Sequence, residues 1–187
     1  YSVFDRMLSL IDCDSIQIFS TFRRGDTMSE NFAGSCLCTA VQYKTSAGFE
    51  MTGNCHCSTC KKITGGPFES FAIINEAFFK FRQGVDQLIT YPISEKAEKV
   101  FCGKCGTPIF NKHVTLPGKL IVHIGSLDDP SSISPVFNLH CENMLPWVSS
   151  IGEMKNFERN YEREQPRQDN HRNISFDFYR RQPFRER

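Results

Sequence analysis

A chain of 187 residues is the length of one domain with extensions, and a hydrophobic content of 40%, with 17 Phe in the chain, is enough for a sizeable core. A net charge of +1 gives no global attraction to nucleic acid or to a membrane surface. No apolar run approaches the ~18 residues of a membrane span. The short N-terminal stretches Met7–Ile11 and Ile16–Phe19 are broken by Asp12, Cys13 and Asp14, which argues against a secretory signal.

In chain order, residues 1–30 are mixed and carry little pattern, and acids at Asp5, Asp12, Asp14 and Asp26 fit a mitochondrial transit peptide poorly. The chain begins with Tyr, which reads as a fragment or a processed product, with the residues before Met28 expected to lie outside the native domain. Residues 31–157 read as mostly β. Alternation marks Ala40–Lys44 and Lys119–Gly125, the latter with Leu120, Val122 and Ile124 on one face and His123 on the other, placed at the surface or beside a ligand. Glu69–Ile74, Phe78–Phe81, Leu88–Tyr91 and Ile109–His113 are rich in Phe, Ile and Val and are bounded by Gly, Pro, Asn and Asp. A short helix is expected after Cys60 or near Asp129–Ser132, and Gly65-Gly66-Pro67 reads as a turn. Trp147 and the Phe residues are core candidates. Residues 158–187 are Arg-rich with interspersed acids and no Lys, a solvated extension or an arm lying on a partner.

The chain has 9 cysteines. Cys36-x-Cys38, Cys55-x-Cys57-x-x-Cys60 and Cys102-x-x-Cys105 are tightly grouped, and only Cys13 and Cys141 stand apart. Disulfide scaffolds are usually shorter and disperse their cysteines, so the pattern points to metal ligation in a reducing compartment, cytoplasmic or organellar, rather than to secretion. Zinc takes four soft ligands in a tetrahedron. Cys36 with Cys38 is one half-site, and Cys102 with Cys105, flanked by Gly103 and Gly106, is another. Together they make a closed four-cysteine centre that contributes folding energy. Cys55, Cys57 and Cys60 lie within one loop and leave a fourth position open, as in catalytic zinc, with His56 as the alternative fourth ligand. Purely structural zinc ribbons and a redox C-x-x-C are the competing readings, the latter without the βαβ pattern it would need.

Gly34-Ser-Cys36-Leu-Cys38-Thr-Ala-Val41, Cys55-His-Cys57-Ser-Thr-Cys60-Lys-Lys62, Phe101-Cys102-Gly-Lys-Cys105-Gly-Thr107, Gly125-Ser-Leu-Asp-Asp-Pro130 and Pro146-Trp147 together resemble the glutathione-dependent formaldehyde-activating enzyme family, which includes centromere protein V. The resemblance covers residues 32–157. It implies a mainly β, Mss4-like (β-tent) zinc-binding fold of antiparallel sheets with few short helices. It implies two zinc ions, a structural one on Cys36, Cys38, Cys102 and Cys105 and a second on Cys55, Cys57 and Cys60, where the glutathione thiol binds and adds to formaldehyde in a carbon–sulfur lyase-type reaction. Lys61 or Lys62 could then pair with a glutathione carboxylate. Two positions depart from the family pattern: Asn138 where relatives often carry His, and Lys99 as the basic residue nearest to where relatives often carry Arg. The alternative is a non-catalytic, zinc-stabilised structural or binding subunit of a larger assembly, docked through residues 1–30 and 158–187. Neither reading calls for nucleic acid or a membrane span.

Overall fold

The structure, a computed structural model, describes residues 31–159; the expected extension at residues 1–30, and all of the Arg-rich one beyond residue 159, lie outside the described residues. Residues 31–149 belong to one unit and residues 150–159 to a second. Within the second, the Met154 N–H donates to the Ile151 carbonyl, and Lys155 Nζ lies 4.9 Å from the centre of the Phe157 ring.

Among the described residues, ten strands and one short α-helix organise the first unit: β1 (Ala33–Ser35), β2 (Gln42–Thr45), β3 (Met51–Cys55), α1 (Ser58–Thr64), β4 (Glu69–Asn75), β5 (Phe79–Gln83), β6 (Leu88–Ser94), β7 (Ala97–Cys102), β8 (Pro108–His113), β9 (Lys119–His123) and β10 (Asn138–Leu139). The mainly β expectation with few short helices holds. β1, β2 and β5 form a three-stranded antiparallel sheet. The other seven form a sheet in the order β10-β3-β4-β9-β8-β7-β6, antiparallel except for the parallel β10–β3 pair. The helix expected after Cys60 starts earlier, at Ser58, and ends at Gly65, whose φ of 67° is open to glycine at no steric cost. Near Asp129 the chain makes only a 3-10 turn, Pro130–Ser132, capped by the Asp129 carboxylate.

Register decides which residues share a face, because side chains alternate along a strand and directly paired residues point the same way. On one face of the large sheet, Ala72, Ile74, Val100, Phe110, Leu120 and Val122 pack with Tyr43 and Phe79 of the small sheet, and with Val41 just before β2, to form the main core. On the other face, Cys55, Phe71 and Ile73 form a second cluster, flanked by Met51, Ile121, Phe137 and Leu139. His123 follows Val122 and so falls on this second face. It is not at the surface: it is 4% exposed, enclosed beside the second cluster. Trp147, a core candidate by residue type, is 45% exposed. Among the described residues, no helix is long and apolar enough to cross a membrane.

Candidate metal centres

None of the eight described cysteines is in a disulfide. Seven fall into two groups whose sulfurs lie within 4.8 Å of one another: Cys36, Cys38, Cys102 and Cys105, and Cys55, Cys57 and Cys60.

The first group is built by two turns. The Cys36 carbonyl accepts from the Thr39 N–H at 2.8 Å, and Thr39 adopts a left-handed φ of 60°. The Cys102 carbonyl accepts from the Gly106 N–H at 2.8 Å, with Gly106 at φ 74°. Each turn therefore reverses through a positive-φ residue just after its second cysteine. The Val41 N–H donates to Cys36 Sγ at 3.3 Å, and Cys105 Sγ lies 3.2 Å from the Thr107 hydroxyl. Cys36 and Cys38 sulfurs are 3.5 Å apart, and Cys38 and Cys102 sulfurs 3.8 Å apart. A tetrahedron with Zn–S of about 2.3 Å has S–S edges of about 3.8 Å, so the donor set fits zinc in kind and in spacing. Cys36 and Cys102 belong to the main core, so this centre joins the knuckle after β1 to the end of β7. Bonds from Thr107 hold the Cys105 thiol down at about 5. The Ala40 backbone favours ionisation of Cys38, but its bonds to the Cys36, Cys105 and Cys102 thiols leave it raised to about 11. Four thiols this close cannot all ionise without a cation between them.

The second group sits on the other face, at the junction of β3 and α1. Cys55 ends β3. Cys57 is the N-cap of α1, and its Sγ accepts the Cys60 N–H at 3.3 Å. The Cys55 thiol is held down at about 5, chiefly by its bond with Cys60 and in part by the His140 charge, against the effect of burial. Cys60 is pushed up by Cys55, by burial and by the neighbouring Glu69 carboxylate. The set of three thiolates fits zinc with one position left over. His56 is not among the clustered ligands: it is 1% exposed, its Nε2 lies 3.1 Å from Asn138 Oδ1, and its ring packs on Phe68 at 5.2 Å between ring centres. Lys61 is tied by its Nζ to the Asn143 carbonyl at 2.7 Å, linking α1 to the loop after β10, and Lys62 is exposed.

A buried polar row, which sequence reasoning did not identify, starts at this second group. Cys55 pairs with Glu69, Phe71 with His123, and Asn111 with both Ile121 and Lys99. Cys55, Glu69, His123, Asn111 and Lys99 therefore share one face across five strands. Glu69 is 1% exposed, and its Oε1 accepts from Asn111 Nδ2 at 2.9 Å and lies 3.3 Å from His123 Nε2. Burial pushes the Glu69 carboxyl up to about 7. Burial, with the Lys99 charge, pushes His123 down to about 4, so the Glu69–His123 contact is a hydrogen bond with a neutral imidazole. The only sign of this row in the sequence is a lone acid opening an apolar run, Glu69-Ser-Phe-Ala-Ile-Ile.

The chain belongs to the family described as glutathione-dependent formaldehyde-activating enzyme, whose pattern it matches over residues 31–143. It is 30% identical over 79 residues to a Schizosaccharomyces pombe protein described as an uncharacterized lyase, a stretch covering 42% of this chain and 56% of that one. The chain thus spans little more than half the length of this curated relative. A solved structure of a Rhodobacter sphaeroides protein aligns with a TM-score of 0.47 at 22% identity, covering 57% of this chain and 98% of the other.

Proposed function

We propose that this chain is a zinc-dependent, carbon–sulfur lyase-type protein that binds the thiol of glutathione and joins it to formaldehyde, giving S-hydroxymethylglutathione. Residues 31–157 form the zinc domain, and residues 1–30 and 158–187 are extensions from it. Cys36, Cys38, Cys102 and Cys105 hold a structural zinc. Cys55, Cys57 and Cys60 hold a second zinc whose fourth position receives the thiol. The observation that carries this reading is the inequality of the two groups: one offers four clustered sulfurs and the other three, with no fourth His, Cys, Asp or Glu ligand atom in the same cluster among the described residues.

A zinc ion at the trio supplies a positive charge that lowers the pKa of a thiol brought to it. The sulfur lone pair forms the C–S bond with the carbonyl carbon of formaldehyde. The C=O π pair moves to the oxygen, which takes up the proton the thiol gave up, and the reverse sequence cleaves the C–S bond. The chain's own part is to hold three thiolates at the β3–α1 junction. Lys61, kept beside the trio by its bond to Asn143, and Lys62 offer positive charge to the carboxylates of the tripeptide. All seven ligand sulfurs must stay reduced, which suits a reducing compartment.

The test is a zinc-edge X-ray absorption spectrum of protein carrying two zinc ions, recorded during a glutathione titration. The average sulfur count per zinc should rise from about 3.5 to about 4 as a fourth sulfur joins one ion. A spectrum unmoved by saturating glutathione refutes thiol binding and leaves the scaffold role for both metals.

A further inference from the structure

Among the described residues, two buried side-chain polar atoms have no hydrogen-bond partner: His56 Nδ1 and Glu69 Oε2. Both belong to residues at Cys55. His56 follows it in the chain, and Glu69 faces it across the β3–β4 ladder. The His56 ring is held by Asn138 at Nε2 and by packing on Phe68, with only its Nδ1 left open. Glu69 is different, because its carboxylate is fixed in place and then left half used. Asn111 Nδ2 holds Oε1 at 2.9 Å, and His123 Nε2 lies 3.3 Å from both Oε1 and Asn111 Oδ1, so one imidazole proton serves both residues. A hydrogen bond between the Cys60 thiol and Glu69 shifts the ionisation of both groups, but it falls short of full hydrogen-bond geometry at Oε2, and a Cys60 thiolate holding a metal has no proton to give it. Buried acceptors in folded proteins are almost always satisfied. A rigid one left open beside a three-thiol centre is suited to a donor carried by whatever occupies the centre.

Resting on the function proposed above, we infer that Glu69 determines specificity at the second centre: its Oε2 accepts the hydroxyl of a carbon attached to the bound sulfur, so that the site favours a hydroxyalkyl thiol adduct over an S-alkyl thioether of the same size. Glu69 is no metal ligand in this scheme, since its oxygens are outside the set of clustered ligand atoms. It reads the product-side hydroxyl, the one group that distinguishes S-hydroxymethylglutathione from S-ethylglutathione, in which a methyl takes the place of the hydroxyl. A site built to bond a hydroxyl discriminates strongly against the analogue lacking it, because the protein acceptor is then left unpaired. Asn111 and His123 are positioning residues that orient the carboxylate through Oε1.

The inference is tested on the zinc-loaded full chain by calorimetric titration with S-ethylglutathione, and with glutathione pre-equilibrated with excess formaldehyde. The parent protein should prefer the hydroxymethyl adduct by at least about tenfold. Glu69→Gln, which keeps the size and the Asn111 contact but replaces the open acceptor with an N–H donor, should reduce that ratio to below about threefold while zinc content stays at the parental value. An unchanged ratio in Glu69→Gln, or loss of zinc from it, overturns the inference. If the variant does not fold, the parent decides: equal affinity for the two ligands overturns the inference while leaving the lyase reading standing. A parent that binds no glutathione species at all refutes both.

Discussion

Replacing Cys102 with Ser should unfold far more of the protein than replacing Cys57 with Ser, although each change removes one thiol from a candidate metal centre. Cys38 and Cys102 are 64 positions apart and their sulfurs are 3.8 Å apart. A cross-link that closes a loop of that length removes about 4 kcal/mol of chain entropy from the unfolded state, with metal ligation acting as the link. Cys102 is also fully buried in the main core, so a serine hydroxyl there adds an unsatisfied polar group. Cys57 and Cys60 are 3 positions apart; closing so short a loop contributes less than about 2 kcal/mol. With stabilities of about 5–15 kcal/mol for a whole domain, the Cys102 variant should melt roughly 10 °C or more below the parent, and the Cys57 variant only a few degrees below it. Thermal unfolding by circular dichroism, together with zinc content by atomic emission, decides the matter. Cys57→Ser should be folded and carry one zinc. Equal destabilisation by the two substitutions, or loss of both zincs from Cys57→Ser, would refute the division into a structural and an open centre.

Two further outcomes follow from the packing and charges around the centres. Burial moves Glu69 up to about 7 and His123 down to about 4. Between their ordinary values of 4.5 and 6.5, the folded pair carries its proton on Glu69 and the unfolded pair carries it on His123. The proton counts match, so the pair gives stability no pH slope there. Glu69→Gln removes one half of the balance. The depressed His123 then contributes stability that is present above its unfolded value of 6.5 and lost as pH falls to about 4, a loss of about 3 kcal/mol relative to the parent; urea unfolding of both proteins across that window reads it, and parallel profiles contradict it. Gly34→Ala should cost about 3 kcal/mol. An added Cβ would overlap the Tyr43 phenol and come within 2.7 Å of the Ser126 carbonyl, breaking the 2.7 Å Tyr43–Ser126 hydrogen bond; a melting temperature within about 2 °C of the parent's would contradict that account.

The strands legible in the sequence are those whose apolar runs are dense: Glu69–Asn75, Pro108–His113 and Lys119–His123 lie within a residue or two of expectation. The missed strands have compositions that disguise them. β3 reads Met-Thr-Gly-Asn-Cys and looks like a turn. Its Gly53 is there because a Cβ would come within 2.6 Å of Phe137, which lies over it. β7 reads Ala-Glu-Lys-Val-Phe-Cys, and only Val100 and Cys102 in it are buried. Short spacing makes the cysteine groups visible as half-sites and a trio. What spacing alone cannot show is that the sheet separates them, with Cys36 and Cys102 in the main core on one face and Cys55 in the smaller cluster on the other.

That separation gives the two centres different surroundings. In the four-thiol group, Cys36 and Cys102 are buried in the cluster that holds Val41, Val100 and Ile109, while Cys38 is exposed at its edge. The trio lies on the face that also carries Glu69, His123, Asn111 and Lys99. These residues come from four strands and are brought level by the register of the β4–β9–β8–β7 ladders. Such a row is destabilising to assemble, since its buried members Glu69, His123 and Asn111 must find partners away from water. A scaffold centre would be served as well by the apolar residues that fill the opposite face. The single carboxylate oxygen left open, beside Cys60 and across from Cys55, is where this row meets the thiols, which is the arrangement expected of a site that holds a polar ligand rather than of one that only fastens two strands.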